Sequence, residues 1–229
     1  MAGVDTPTVL VTRPRRSSDA FLAALAEVAR GFEGCISPAF ENVAVASNLS
    51  EFDAAVFTSG AALAFAPDGE GRTAYCVGSA TAHAARAAGY RAIASGGNAA
   101  DLIHLILGRK PAGKLLHMRG AVSIGDVAAQ VCRFGVVCDE RVVYRKNPCA
   151  PTPAAVRVLA STHPVILPVF SAETALIMAS WPAAFLRCTV VAISPAVASA
   201  AQGLNAADHL VADVPTLDAM VDACARLIA

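Results

Sequence analysis

The sequence predicts an α/β protein in which parallel strands form sheets covered by helices on both faces. Short apolar runs of strand length alternate with segments whose apolar residues recur at helical spacing. Most of these runs stop at glycine, serine, threonine or proline, which is typical of a tight turn before a helix. Such alternation with short loops favours parallel sheets, which bind ligands at the carboxyl ends of their strands.

The first strand and helix lie near the N-terminus. Residues 8–12 are a short apolar strand, and Ser17 or Ser18 is the expected cap of the helix that follows. A second strand is expected around residues 35–38. Four apolar side chains are expected to form one face of the helix: Phe21, Leu22, Leu25 and Val28.

Residues 54–82 contain two strand-to-helix turns in succession. The run Ala-Ala-Val-Phe ends at Thr58-Ser59, and the run Ala-Tyr-Cys-Val ends at Gly78-Ser79. At such turns the backbone N–H groups of the helix N-terminus point towards a ligand. Small polar residues at these junctions could also simply cap helices and form turns.

The pattern continues through the middle of the chain. Strands are expected at residues 90–94, 114–118 and 141–144, and Asn98 is expected to cap the helix after the first of them. Residues 145–153 contain three prolines in nine positions, which makes them the clearest linker in the sequence.

The second half of the chain repeats the first. Phe170-Ser171 corresponds to Phe57-Thr58-Ser59, and Ser194, followed by proline at the first helical position, corresponds to Gly78. Residues 9–14 likewise correspond to residues 115–120. We name the segments around residues 9–14, 57–89, 115–120 and 170–203 A, B, A′ and B′, and this order indicates an internal duplication of one α/β domain. The repeat alone leaves open whether A pairs with B or with B′.

Composition excludes several classes of function. Lys and Arg number 18, as do Asp and Glu, so the chain lacks the basic field of a nucleic-acid binder. Hydrophobic residues make up 55% of the chain, but no apolar run reaches the roughly 18 residues that a membrane span needs. The seven cysteines are scattered without a Cys-x-x-Cys pair, which disfavours a disulfide framework or a zinc site. The N-terminus lacks the layout of a signal peptide, so a cytoplasmic location is expected.

Seven short motifs follow one another in a fixed order across nearly the whole chain. They are Val-Thr-Arg-Pro (11–14), Val-Phe-Thr-Ser (56–59), Val-Gly-Ser-Ala-Thr-Ala (77–82), Met-Arg-Gly (118–120), Val-Val-Tyr (142–144), Phe-Ser (170–171) and Val-Pro-Thr (214–216). In order and spacing they resemble the uroporphyrinogen-III synthase family, the cofactor-free enzymes of tetrapyrrole biosynthesis.

The resemblance implies two flavodoxin-like lobes, each a parallel sheet with helices on both faces, joined by two connectors. Lobe 1 is expected to combine residues 1–40 and 151–229, and lobe 2 to comprise residues 51–145. Residues 41–50 and 146–150 are then the connectors. This arrangement pairs B with A′ and A with B′.

The resemblance also implies a substrate and a reaction. The substrate is hydroxymethylbilane, a linear tetrapyrrole with carboxylate side chains, whose ring closes with loss of water and inversion of the terminal pyrrole through a spiro intermediate. Spontaneous closure gives the uninverted isomer, so catalysis is largely a matter of positioning. We expect a monomer that uses no cofactor or metal and binds neither nucleic acid nor a membrane.

Site residues follow from the family motifs, which imply a cleft between the lobes. Tyr144 matches the family's tyrosine and is the expected general acid for departure of hydroxide, although it could be an ordinary strand aromatic. The five histidines lack ligand spacing and are interpreted as surface or core residues. Expected substrate contacts are Arg13, Thr58, Ser59, Gly78, Ser79, Ala80, Thr81, Arg119, Gly120, Ser171, Ala172, Ser194, Ala196 and Val197. Of these, Arg13 and Arg119 could bind carboxylates bidentately or be solvated.

The fourth turn departs from the family pattern. Family members tend to have Ile-Gly followed by Thr-Ala, whereas this chain reads Ile-Ser-Pro-Ala-Val-Ala over residues 193–198. Pro195 also removes a backbone donor. The alternative function is therefore a non-catalytic relative that binds a tetrapyrrole or another anionic ligand. A periplasmic-type solute binder is disfavoured by the missing signal peptide.

Overall fold

The computed structural model describes residues 6–49, 51–122 and 125–228, which form strands and helices in alternation. Residues 1–5 of the expected lobe 1 and residue 50 of the expected first connector lie outside these ranges. The strands are β1 (Thr8–Val11), β2 (Glu33–Ile36), β3 (Phe40–Ala44), β4 (Ala54–Phe57), β5 (Thr73–Cys76), β6 (Arg91–Ala94), β7 (Leu115–Gly120), β8 (Cys138–Pro148), β9 (Val165–Val169), β10 (Cys188–Ala192) and β11 (Asp208–Val211). The α-helices are α1 (Arg15–Val28), α2 (Ser79–Ala87), α3 (Ala99–Arg109), α4 (Val127–Cys132), α5 (Pro153–Ala160), α6 (Ala172–Ala179), α7 (Pro195–Ala201) and α8 (Leu217–Ile228). Two 3₁₀ helices, Gly60–Phe65 and Gln202–Leu204, complete the described elements.

The chain divides into two compact units, each with its own sheet and core. Unit 1 combines Met1–Glu41 with Asn147–Ala229, and unit 2 is Asn42–Lys146. The predicted α/β class with parallel sheets is confirmed in both units. None of the helices in the described part of the chain is long and apolar enough to cross a bilayer.

Unit 1 contains a five-stranded sheet in the order β2-β1-β9-β10-β11, with all neighbouring strands parallel. Alternation along β1 directs Val9 and Val11 to one face and Leu10 to the other. Helices α1 and α8 cover the first face, since Phe21 and Met220 are buried in the same cluster as Val9. Helices α5, α6 and α7 supply side chains to the opposite cluster. The strand order reverses between β1 and β9, which is where ligands bind in open α/β sheets.

Unit 2 contains a six-stranded sheet in the order β3-β8-β7-β4-β5-β6, in which β8, β7, β4, β5 and β6 are parallel. One face packs against α2 and the 3₁₀ helix Gly60–Phe65, and the other against α3 and α4. The strand order reverses between β4 and β7. Their carboxyl ends are therefore the expected ligand position of unit 2.

Three elements differ from the sequence prediction. Helix α1 begins at Arg15 and not after Ser17 or Ser18; Ser18 is buried within the helix and donates its hydroxyl hydrogen to the Arg13 carbonyl at 2.8 Å. Residues 40–44 form β3, and β8 extends to Pro148, so both expected connectors contain strand. The reason is that β3 and β8 are neighbours and satisfy each other's backbone groups.

Candidate functional site

A cavity of about 320 Å³ lies at the carboxyl ends of the strands of unit 2. Its walls include four of the residues predicted from the sequence, namely Thr58, Ser59, Gly120 and Tyr144. Thr58 and Ser59 follow β4, Gly120 ends β7, and Tyr144 lies within β8 opposite Gly120. The strand order reverses between β4 and β7. Topology and sequence therefore indicate the same position.

Tyr144 is held in the cavity wall by close packing. Its side chain is only 6% exposed, and its ring stacks on Phe65 with centroids 5.5 Å apart. A register shift between β7 and β8 pairs Gly120 with Tyr144, where unbroken register would pair it with Val143. A Cβ at Gly120 would lie 2.7 Å from Tyr144 Cζ, so the ring occupies space that only glycine leaves free.

The Tyr144 hydroxyl is available to a ligand. In the described ranges no side chain or backbone group forms a hydrogen bond with this oxygen, and it is not among the fully buried unsatisfied atoms. A phenol positioned in this way can donate its hydrogen to a group that enters the cavity.

Thr58 and Ser59 make different internal hydrogen bonds. Thr58 Oγ1 lies 3.2 Å from His117 Nε2, beneath the cavity. Ser59 precedes the 3₁₀ helix and its Oγ accepts the Ala61 N–H at 3.2 Å, which leaves its own hydrogen available. Both hydroxyls are partly exposed at the cavity wall.

The turn before α2 lies beside this cavity. Gly78 is the N-cap residue, and a Cβ there would lie 3.6 Å from Gly97 Cα, so the two turns approach closely. Ser79 and Ala80 are exposed in the first turn of α2. Thr81 is 7% exposed and is one of the buried residues of α2.

Arg119 is engaged within the protein. Its Nη2 lies 2.5 Å from Glu140 Oε1, and its Nη1 donates to the carbonyls of Gly120 and Ala121 at 2.8 and 3.3 Å. The hydrogen bond from Arg119 lowers the pKa of Glu140, and the same bond raises the pKa of Arg119. This arginine is therefore paired with a carboxylate of the protein itself, and a contact with a substrate carboxylate stays a prediction.

His117 connects Thr58 to this ion pair. It is fully buried, and its Nδ1 lies 3.4 Å from Glu140 Oε2, where the atoms attract without a well-aligned hydrogen bond. Burial lowers the pKa of His117, an effect that exceeds the opposing attraction of Glu140. Sequence reasoning did not single out this residue, although a histidine within the run Leu-Leu-His-Met was a detectable signal.

In unit 1, the predicted residues Arg13 and Ser171 follow β1 and β9, the strands between which the strand order reverses. The Arg13 guanidinium lies 4.2 Å from the centre of the Phe170 ring, and burial lowers its pKa. Ser171 caps α6, accepting the Thr174 N–H at 3.1 Å and sharing a hydrogen with Thr174 Oγ1 at 2.8 Å. Ala172 is the first residue of α6.

The drifted fourth turn retains its capping function. Ser194 Oγ accepts the Val197 N–H at 3.4 Å, and Pro195 occupies the first helical position as predicted. Ala196 is exposed, whereas Val197 is 6% exposed and packs in the core of unit 1.

The cavity also includes residues that sequence reasoning did not propose as ligand contacts. Gly97, Asn98 and Ala99 lie between β6 and α3, and Val77 and Val122 follow β5 and β7. Asn98 caps α3, as predicted, by accepting the Asp101 N–H at 3.0 Å. The sheet order β4-β5-β6 was the signal that could have placed this turn beside Gly78.

A larger groove of about 930 Å³ lies at the opposite end of the same sheet, lined by residues such as Asp53, Arg72 and Lys114 that precede strands. Its cations are paired within the protein, Arg72 with Glu70 at 2.6 Å and Lys114 with Asp139 at 2.7 Å. Because α/β sheets bind ligands at their carboxyl ends, we assign the smaller cavity as the candidate site. Among the described residues, no group of three His, Cys, Asp or Glu side chains is placed to hold a metal ion.

A family model and solved structures both match this chain. The model of the family described as "Uroporphyrinogen-III synthase HemD" matches residues 21–222. The chain is 16% identical to uroporphyrinogen-III synthetase from Helicobacter pylori 26695, with a TM-score of 0.68 over 96% of this chain and 99% of that one. It is 17% identical to wild-type uroporphyrinogen III synthase from the extremely thermophilic bacterium Thermus thermophilus, with a TM-score of 0.42 over 96% of this chain and 97% of that one. Comparison with curated proteins gives no match.

Proposed function

The chain belongs to the uroporphyrinogen-III synthase family, the cyclising lyases of haem biosynthesis, and from this premise we propose that it converts hydroxymethylbilane to uroporphyrinogen III. The linear tetrapyrrole loses water, and its terminal pyrrole is inverted as the ring closes. Because spontaneous closure gives the uninverted isomer, the protein must hold the reacting end in one geometry.

The position of Tyr144 carries this proposal. The family-matched tyrosine is fixed by Phe65 and Gly120, and its hydroxyl is open to the cavity. Departure of hydroxide from the hydroxymethyl carbon requires a proton, which Tyr144 supplies as a general acid within hydrogen-bond reach. Water leaves, and the resulting cation is attacked by the terminal pyrrole.

The size of the cavity suits one end of the substrate. At about 320 Å³ it is at the lower limit of small-molecule sites, which span roughly 300–1,000 Å³. The reacting pyrroles occupy this cavity. Carboxylates bind at its rim, where the N-termini of α2 and α3 present backbone N–H groups near Gly78 and Asn98. Contacts of Arg13, Ser171, Ala172, Ser194, Ala196 and Val197 with the substrate stay predictions.

The internal duplication belongs to the same proposal. In unit 1 the order β2-β1-β9-β10-β11 corresponds to the flavodoxin-like order 2-1-3-4-5. In unit 2 the order β8-β7-β4-β5-β6 corresponds to the same series if β7 and β8 take the places of β1 and β2. This correspondence supports the pairing of A with B′ and of B with A′.

The decisive experiment separates synthase from binder. Hydroxymethylbilane generated enzymatically is incubated with increasing amounts of the protein, and the porphyrin isomers are resolved after oxidation. The proposed function predicts that the inverted isomer rises with protein concentration. Only the uninverted isomer at every concentration would exclude catalysis and leave the non-catalytic tetrapyrrole binder.

Two further parts of the proposal concern the state of the protein. All seven cysteines are free thiols, which supports a reducing compartment such as the cytoplasm.

We expect a monomer, to be measured by light scattering during size-exclusion chromatography at assay concentration. A dimer mass would contradict that part alone.

A further inference from the structure

The proposed function leaves the buried histidine beneath the cavity without a role. His117 lies on β7 with no solvent exposure, and its two ring nitrogens face different partners. Nε2 lies 3.2 Å from Thr58 Oγ1, and Nδ1 lies 3.4 Å from Glu140 Oε2. A buried titratable group between a cavity hydroxyl and a carboxylate determines the hydrogen-bond polarity of that hydroxyl.

Glu140 determines which nitrogen of His117 carries the hydrogen. Its other oxygen is paired with Arg119 at 2.5 Å, and the pKa of the carboxyl is lowered by that bond, so Glu140 is an ionised acceptor. If Nδ1 lacked a hydrogen, its lone pair would face the ionised Glu140 oxygen at 3.4 Å, and the two would repel each other. The network therefore assigns the hydrogen to Nδ1.

The remaining nitrogen then determines how Thr58 is oriented. Because burial lowers the pKa of His117, the ring is neutral near pH 7 and Nε2 carries no hydrogen. Nε2 can only accept, so the Thr58 hydroxyl must donate its single hydrogen inward. The oxygen presents only lone pairs to the cavity.

Ser59, the next residue, has the opposite polarity. Its oxygen accepts the Ala61 N–H, and its own hydrogen remains available for the cavity. Two adjacent hydroxyls therefore differ in what they can bind: Thr58 accepts from a donor, and Ser59 donates to an anion.

We propose that His117 is a positioning residue that makes Thr58 a hydrogen-bond acceptor for a pyrrole N–H of the substrate, while Ser59 receives a carboxylate. This inference rests on the proposed function, since a tetrapyrrole brings both groups. It assigns Thr58 to the ring nitrogens and not to the carboxylates. The Thr58 oxygen and a carboxylate oxygen would both be acceptors, and they would repel each other.

The first test needs no substrate. Nitrogen-15 NMR of histidine-labelled protein at pH 7.5 reports the tautomer of each ring, and the His117 signals are assigned with the His117→Phe variant. The expected result is hydrogen on Nδ1, with a shift of the Nε2 signal in Thr58→Val and a smaller one in Thr58→Ser. Hydrogen on Nε2, or on both nitrogens, would overturn the proposal whether or not the protein is a synthase.

The second test measures selectivity by calorimetric titration. The probes are a monopyrrole carrying an acetate and a propionate, and its N-methyl counterpart. The wild type should bind the N–H probe more tightly by roughly 2- to 12-fold, the worth of one net hydrogen bond. Thr58→Val should bind both probes equally, and Thr58→Ser should retain the preference.

The remaining outcomes are also informative. Equal binding of the two probes by the wild type would overturn the assignment of Thr58 to the pyrrole nitrogen. Absence of binding by both probes would overturn it as well. If the isomer assay still gives the inverted product in either case, the proposed function survives and only this inference fails.

Discussion

The sheet of each unit reverses its strand order once, and the residues at the two reversals have different environments. In unit 2 the reversal between β4 and β7 opens onto a cavity, with Gly120 giving space to Tyr144. In unit 1 the reversal between β1 and β9 is occupied by Arg13 packed over the Phe170 ring, which contacts Phe21 edge to face at 5.5 Å. The same topology therefore gives an open cavity beside a tyrosine in unit 2 and an arginine packed over an aromatic ring in unit 1.

The two arginines sharpen this difference. Arg13 follows β1 and Arg119 lies near the end of β7, but only Arg119 forms an ion pair with Glu140. Within the described part of the chain no carboxylate pairs with Arg13, whose pKa burial lowers. A partly desolvated cation gains most from an incoming anion. We therefore expect a substrate carboxylate to bind Arg13 more readily than Arg119.

The largest effect is expected from Tyr144→Phe in unit 2. Loss of a general acid should slow formation of the inverted isomer by roughly 10²- to 10⁴-fold. The ring still stacks on Phe65, so the melting temperature should stay close to the wild-type value. Initial rates and thermal melts of both proteins check this. An undiminished rate would remove the general-acid role and leave the fold assignment intact.

Gly120→Ala should disturb the same tyrosine by packing. The new Cβ would lie 2.7 Å from Tyr144 Cζ and 2.9 Å from its hydroxyl oxygen, so the ring must move. We expect about 1–3 kcal/mol of destabilisation and a rate loss on the order of 100-fold.

Gly108→Ala in α3 is the matched control for this change, because nothing lies within 4 Å of the added Cβ. It should stabilise the protein slightly, by up to about 1 kcal/mol. Denaturant unfolding and initial rates of both alanine variants make the comparison. Equal behaviour of the two would contradict the packing account of Tyr144.

Matched substitutions of the two arginines test the contrast between the units. Arg13→Gln should raise KM by roughly tenfold or more, since a charge-assisted hydrogen bond contributes about 1.5–3 kcal/mol. Arg119→Gln should instead lower stability by about 1–3 kcal/mol, because Glu140 loses its partner. Steady-state kinetics and urea unfolding separate these effects. The reverse pattern would assign carboxylate binding to Arg119.

Local signals in the sequence predicted much of the fold. The capping role of Asn98, the proline at the first helical position after Ser194, and the strands around residues 54–57 and 73–76 depend on neighbouring residues only. The strand β3 could not be predicted in this way, because it exists only through pairing with β8. Helix α1 starts early because Ser18 bonds the Arg13 carbonyl and does not cap.

In the candidate site, too, some features depend on neighbouring residues and others on strand pairing. Thr58, Ser59, Gly120 and Tyr144 were chosen from short motifs, and the structure brings them to one cavity. Asn98 was recognised as a cap, but its place in the cavity wall depends on sheet order. The sequence does not distinguish His117 from an ordinary core histidine, because its contact with Glu140 depends on the parallel register of β7 and β8.

The smallest expected effect is a pH dependence of stability that distinguishes unit 2 through His117. Burial lowers the pKa of His117 in the folded protein below its ordinary value of 6.5. Between pH 7 and 5 the unfolded chain therefore takes up a proton that the folded protein resists, and the free energy of unfolding falls with acidification, by at most about 1.4 kcal/mol per pH unit. Glu140, Arg119 and Cys138 are titratable groups that interact with this histidine. The pKa of Glu140 is lowered from its ordinary value of 4.5, so protonation of this carboxyl changes the free energy of unfolding at pH values below this window. Urea unfolding across the window should show a reduced slope in His117→Phe, whereas His104→Gln, at an exposed position of α3, should keep the wild-type slope. An unchanged slope in His117→Phe would mean that the buried ring in unit 2 does not resist protonation, and the contrast between the two units would then rest on Tyr144 and the arginines alone.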